Sequence, residues 1–127
     1  MDSLRLTLRL PGGVTTGEPV CMTLHLRNVG SDAVQLLLPG RPLAFDLVVR
    51  DTSNVVVWRR LAGQALAMAL QVIRLAPDQE VQLAHVWDQR GTDGEVVSPG
   101  TYTVQGVLPA EDRKLTTPTV SLSIAEG

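Results

Sequence analysis

The chain is short of cysteine, of aromatic side chains and of net charge, and each shortage closes off a class of function. One cysteine, Cys21, leaves no partner for an internal disulfide. Secreted domains of this size are often stapled by such bonds, so a reducing compartment is favoured. Four aromatic residues, Phe45, Trp58, Trp87 and Tyr102, are too few to build a stacking platform along a single nucleic-acid strand. With 11 basic and 13 acidic residues the net charge is −2, which gives no general attraction to nucleic acid or to a membrane surface. No apolar run approaches the roughly twenty residues that span a bilayer. The amino terminus, Met1-Asp2-Ser3-Leu4-Arg5, alternates polar and apolar residues where an export signal would show a basic start and a continuous apolar stretch. These shortages predict a soluble cytoplasmic protein with neither nucleic acid nor membrane as a partner.

Catalytic patterns are also missing. The chain holds two histidines, His25 and His85, on different expected strands, and neither has a carboxylate or cysteine at metal-ligand spacing. There is no nucleophile elbow, no phosphate-cradling glycine loop and no paired-carboxylate motif. The expectation is a protein that is not an enzyme, with no catalytic residues, no metal and no cofactor. Cys21 has no basic cluster beside it to lower its pKa, and reads as an inert thiol, buried or at a sheet edge.

What is present is alternation. Leu4, Leu6, Leu8 and Leu10 alternate with Arg5, Thr7 and Arg9, the period of two that places leucines on a core and arginines on an outer face. Met22, Leu24 and Leu26 continue the pattern against Thr23, His25 and Arg27, and the two strands fit an antiparallel hairpin. Further strands are expected at 33–38, 44–51, 55–58, up to Leu75, 81–87, 101–108 and 115–124, divided by turns rich in glycine, proline, asparagine and aspartate. The stretch from Leu61 is ambiguous, because its alanines suit a helix but lack clean helical spacing; a short turn or helical piece is expected there. At 127 residues the chain fits a single domain, 1–127, able to bury roughly two-thirds of its unfolded surface. Eight or nine short strands with turns every eight to twelve residues predict an all-β antiparallel sandwich.

Ser98-Pro99-Gly100-Thr101-Tyr102-Thr103-Val104 sharpens that reading. Pro-Gly makes a tight turn, and a tyrosine entering a strand just after it matches the tyrosine corner of immunoglobulin-like sandwiches, where the ring enters the core and the hydroxyl bonds to a backbone group upstream. The fold expected is therefore an immunoglobulin-like β-sandwich of about eight strands. Trp58 and Trp87 each end an alternating strand and read first as core, second as a binding surface. Arg59-Arg60 suits either an acidic partner or a solvated strand end.

Four stretches taken in order resemble the intracellular proteinase inhibitor family of the Bacillus type. They are Leu26-Arg27-Asn28, Phe45-Asp46-Leu47-Val48-Val49-Arg50-Asp51, Val57-Trp58-Arg59-Arg60, and Pro99-Gly100-Thr101-Tyr102-Thr103-Val104-Gln105-Gly106. The resemblance implies an immunoglobulin-like sandwich that inhibits a cytoplasmic subtilisin-like serine protease, but it carries over no inhibitory residue, since the matching positions read as framework. Two departures stand out. The family usually has a glycine in the turn where this chain has Asp51-Thr52-Ser53-Asn54, with Asn54 suited to the left-handed conformation; and Leu61-Ala62-Gly63-Gln64 is less aromatic and polar than the family tends to be.

An inhibitory loop must be exposed, able to extend, and equipped with an apolar residue for a subtilisin-like pocket. Two loops qualify. The preferred one is Gly94, Glu95, Val96 and Val97, in a loop starting at Gly91, with its far end pinned by the tyrosine corner and its middle expected to be free. The second comprises Arg59, Arg60, Leu61 and Leu66. The partner expected is a serine protease, met by a monomer. The alternative reading is a non-inhibitory immunoglobulin-like interaction module, part of a larger or envelope protein, because sandwiches host many unrelated functions.

Overall fold

A computed structural model describes residues 4–39, 45–62, 70–110 and 114–127. Within them lie eleven strands: β1 (Leu4–Arg9), β2 (Gly13–Thr15), β3 (Val20–Asn28), β4 (Val34–Pro39), β5 (Asp46–Arg50), β6 (Val56–Arg59), β7 (Leu70–Leu75), β8 (Glu80–Trp87), β9 (Gly100–Pro109), β10 (Lys114–Thr116) and β11 (Val120–Ala125). They form a three-stranded sheet ordered β1-β3-β8, a larger sheet ordered β2-β11-β9-β5-β6 with β10 also on β9, and a two-stranded ribbon of β4 and β7. All pairings are antiparallel except that of β2 with β11. The architecture is the expected all-β immunoglobulin-like sandwich.

Alternation places the core as expected. Leu6 and Leu8 of β1, Val20, Met22, Leu24 and Leu26 of β3, and Trp87 of β8 point inward from the smaller sheet. Leu47 and Val49 of β5, Tyr102, Val104 and Leu108 of β9, and Leu122 and Ile124 of β11 meet them from the larger one. Leu36, Leu38 and Leu75 close the core from the ribbon. Each such side chain contributes about 1.5–3 kcal/mol relative to exposure, so alternation alone selects this register over a one-residue slip.

Tyr102 forms the corner that the sequence predicts. Its ring is buried and its hydroxyl donates to the Ser98 carbonyl at 2.5 Å. Burial, helped by Asp51, pushes the phenol above its ordinary pKa. Asn54 adopts φ 65°, the left-handed conformation that the sequence requires of it. The Asp51 carboxylate completes that turn by accepting from the amides of Ser53 and Val55.

Tertiary pairing departs from the sequence in four places. The link after β1 contains β2, which crosses to the other sheet and runs parallel to β11. β4 pairs not with its neighbour in sequence but with β7. The last strand is two, because Thr117-Pro118-Thr119 interrupts it; proline lacks the donor a ladder needs, and Thr117 keeps the Gly106 backbone paired in both directions across the break. Cys21 is exposed rather than buried, since it alternates outward between Val20 and Met22. The helical piece expected beyond Ala62 falls on 63–69, outside the described residues.

Candidate functional site

The preferred loop, between β8 and β9, is folded on itself. Gly91 N–H donates to the Glu95 carbonyl at 2.8 Å, and Gly94 N–H to the Gly91 carbonyl at 2.9 Å. Arg90 bridges Val96 as an isolated antiparallel pair, and its guanidinium donates to the Gly94 carbonyl at 2.9 Å. The Asp93 carboxylate accepts from Glu95 N–H, and Val97 N–H donates to the Gln89 carbonyl. Trp87 Nε1 donates to the Arg90 carbonyl, fastening the loop to the core. Its middle is thus held by local bonds, not free as the glycine content suggests.

The loop also caps an edge. β6 is the outer strand of its sheet, and Thr92 N–H donates to the Val57 carbonyl at 2.9 Å. Gly91 allows this approach, because a Cβ there would lie 3.0 Å from that same carbonyl oxygen. The Arg59 carbonyl is likewise taken, by Ala62 N–H. Edge acceptors satisfied in this way do not invite a foreign strand. Gly94, Glu95 and Val96 remain outward, Val96 with 44% exposure, while Val97 packs on the core. A cleft of about 600 Å³ lies between this loop and the start of β6, with Asp51, Asp93, Glu95 and Tyr102 in its walls.

The second candidate is a brace. The Asp46 carboxylate, though on the outer face of β5, is almost fully buried and accepts four bonds: Nε and Nη2 of Arg59 at 2.9 and 2.5 Å, and the amides of Leu47 and Leu61 at 3.0 and 3.1 Å. The Arg60 guanidinium lies 3.9 Å over the Phe45 ring and donates to the Phe45 carbonyl. Burial holds Arg60 below the ordinary arginine pKa, with Asp46 acting in the opposite sense. The two arginines therefore tie the chain after β6 to the start of β5, with the Arg59 side chain still 53% exposed. Leu61 is half-buried at the rim, and Leu66 lies outside the described residues.

Trp58 joins this region to the smaller sheet. Its ring stacks on Trp87 at 5.3 Å and on His85 at 5.6 Å. Trp87 is core and Trp58 half-buried, so the core reading prevails for the first and is shared for the second. Burial, and then Arg60, depress the His85 pKa, partly offset by Asp88. His25, by contrast, faces outward on β3 and meets Glu80 at 2.5 Å. Among the described residues no three of His, Cys, Asp and Glu gather as a metal site.

Residues 13–113 match the model of the BsuPI family, whose description is intracellular proteinase inhibitor. The chain belongs to that family. Three solved structures share its fold. The CARDB domain of the PF1109 protein from Pyrococcus furiosus, solved in complex with di-metal ions, is 14% identical with a TM-score of 0.55, over 98% of this chain and 94% of that one. Spo0M, the sporulation control protein of Bacillus subtilis, is 14% identical with a TM-score of 0.58, over 100% of this chain and 51% of that one. Latent PorU of Porphyromonas gingivalis is 10% identical with a TM-score of 0.59, over 100% of this chain and 10% of that one. The chain thus spans about half of Spo0M and a tenth of PorU. No curated protein sequence matches it. A BsuPI-family chain is a proteinase inhibitor by family and not itself an enzyme.

The family stretches acquire physical reasons here. In the first, Asn28 is fully buried; its amide donates to the carbonyls of Asp32 and Leu75 and its oxygen accepts from Gly30 N–H, locking the turn after β3 to the end of β7. In the second and third, Asp46 meets Arg59. Sequence reasoning missed both partnerships, because 13 residues separate Asp46 from Arg59 and 47 separate Asn28 from Leu75. The signal within reach was a lone aspartate and a lone arginine on the outward phase of adjacent hairpin strands.

Proposed function

We propose that this chain inhibits an intracellular subtilisin-like serine protease, acting as a monomer through the loop that contains Gly94, Glu95, Val96 and Val97. The observation that carries the reading is the family match over 13–113. The loop geometry supports it: an inhibitory loop gains affinity when it is ordered before binding, because less conformational entropy is lost on association. Here four main-chain bonds and two side-chain bonds hold the turn, with Val96 outward to fill an apolar specificity pocket. The same bonds would keep the ends of a cleaved loop together, favouring religation over product release. Arg59, Arg60 and Leu61, at the end of β6, are the second contact candidate, together with Leu66, which lies outside the described residues.

The test spares Val97, which the core needs. Glu95→Arg with Val96→Asp is expected to weaken inhibition of a purified intracellular subtilisin-like protease at least tenfold while the thermal midpoint stays within a few degrees. Inhibition equal to the parent would remove this loop as the contact. No inhibition by the parent would favour the second reading, an immunoglobulin-like interaction module, which gains support from the same fold occurring as part of the longer Spo0M and PorU chains.

A further inference from the structure

Outward-facing side chains from three of the four family stretches converge on one place. Asp46, Val48 and Arg50 of β5, Arg59 of β6 and Gln105 of β9 all line a groove of about 490 Å³ on the outer face of the larger sheet, closed at its far side by β10. Asp46 and Arg59 brace β5 to β6 there, and Val48, Arg50 and Gln105 face the same side, away from the core.

The groove is unlike an ordinary solvated sheet face in two respects. Its floor is apolar: Val48 is outward by alternation yet only 5% exposed, with Val107 beside it and Leu61 at the rim. Its charge is unbalanced. The one carboxylate, Asp46, is consumed by Arg59 and two amides, as described above. Arg50 reaches only the Gln105 oxygen, at 3.4 Å, and neither Arg50 nor Lys114 has a carboxylate partner among the described residues. Arg50 and Lys114, without a carboxylate partner among the described residues, thus flank an apolar floor on a chain whose net charge is −2.

We infer that this face is a docking groove for an extended segment of a protein partner, in which carboxylates alternate with apolar side chains; the partner is the protease, and that identity rests on the functional reading above. Four adjacent strands, β6, β5, β9 and β10, span about 14 Å at ~4.8 Å spacing, the length of about four extended residues. Alternation along such a segment sets its apolar side chains on Val48 and Val107 while its carboxylates turn to Arg50 and Lys114. The half-buried Arg50 guanidinium beside apolar surface binds a carboxylate more strongly than in open water, and the exposed Lys114 adds a second attraction. The groove thereby supplies charge-dependent recognition away from the loop between β8 and β9.

The probe is an acetylated, amidated hexapeptide of alternating leucine and glutamate, with a leucine-lysine hexapeptide as its counterpart, titrated into the full chain and followed by amide chemical shifts. The expected result is saturable shifts centred on Val48, Arg50, Gln105 and Val107 with the acidic peptide, weakened at least tenfold by Arg50→Glu with Lys114→Glu and by 0.5 M salt, and no saturable shift with the basic one. Arg50→Gln with Lys114→Gln, a milder pair, is expected to weaken binding severalfold if the reversed charges disturb folding. In parallel, the charge-reversed pair should weaken protease inhibition at least tenfold with the loop intact. Scattered shifts, equal response to both peptides, or binding unaffected by either pair would overturn the groove. A parent that inhibits no protease overturns the functional reading instead, and the peptide titration then decides the groove alone.

Discussion

Tyr102 shows how much one side chain can set. Its hydroxyl satisfies the Ser98 carbonyl in the turn before β9 through a partly buried bond, and removing that donor leaves the acceptor without its protein partner. Tyr102→Phe is expected to lose about 1 kcal/mol or more in urea unfolding, with inhibition at low temperature unchanged; an unaltered midpoint would remove the corner from the account. His85 acts through protonation. Its folded pKa lies below the ordinary value near 6.5 because burial and Arg60 disfavour the cation. The folded state therefore binds fewer protons than the unfolded one as pH falls below that value, so its contribution to stability is complete above about 6.5 and is lost as pH falls through the lower folded pKa. Thermal midpoints measured from pH 7.5 downward should decline over that window, and His85→Gln should flatten the decline; an unchanged profile in the variant would assign it to other groups.

Between elements, the two sheets come close together at Gly106. A Cβ there would stand 2.2 Å from Leu24 Cδ2 and 3.2 Å from its Cγ and from Thr117 Cγ2. Leu24 is buried, and moving its terminal methyl alone does not relieve the Cγ contact. Gly106→Ala is expected to destabilise by about 1–3 kcal/mol through overpacking. Leu24→Ala in that background should cost less than it does in the parent, a coupling that a double-mutant cycle measures; strict additivity would mean that the sheets part more easily than their packing suggests. Alternation along β9 makes Gly106 inward, which the sequence shows. Which leucine occupies the space it leaves is decided by the opposite sheet.

At the scale of the molecule, one apolar cluster draws on β1, β3, β4, β5, β7, β8, β9 and β11. Buried residues from the ribbon and both sheets share it, so no element has a core of its own. The single-domain reading of 1–127 accordingly predicts one cooperative transition, with calorimetric and van't Hoff enthalpies equal. An early separate melting of the β4-β7 ribbon would divide the unit.

The period of two, the turn chemistry of Pro99-Gly100 and Asp51–Asn54, and the tyrosine after its turn are local properties, and a sequence carries local properties openly. They were enough for the sandwich, its core residues and the family stretches. Partnerships across long separations were not legible: β4 with β7, β2 alongside β11, Asn28 with Leu75, Asp46 with Arg59. A strand's alternation says which face is apolar but not which edge its hydrogen bonds will meet. The same holds for the two candidate loops, whose composition indicated exposure, while the bonds that fold one upon itself and turn the other into a brace exist only once β6 lies between them. The groove on the larger sheet is the clearest case, because its residues come from four strands and share nothing in sequence except the outward phase.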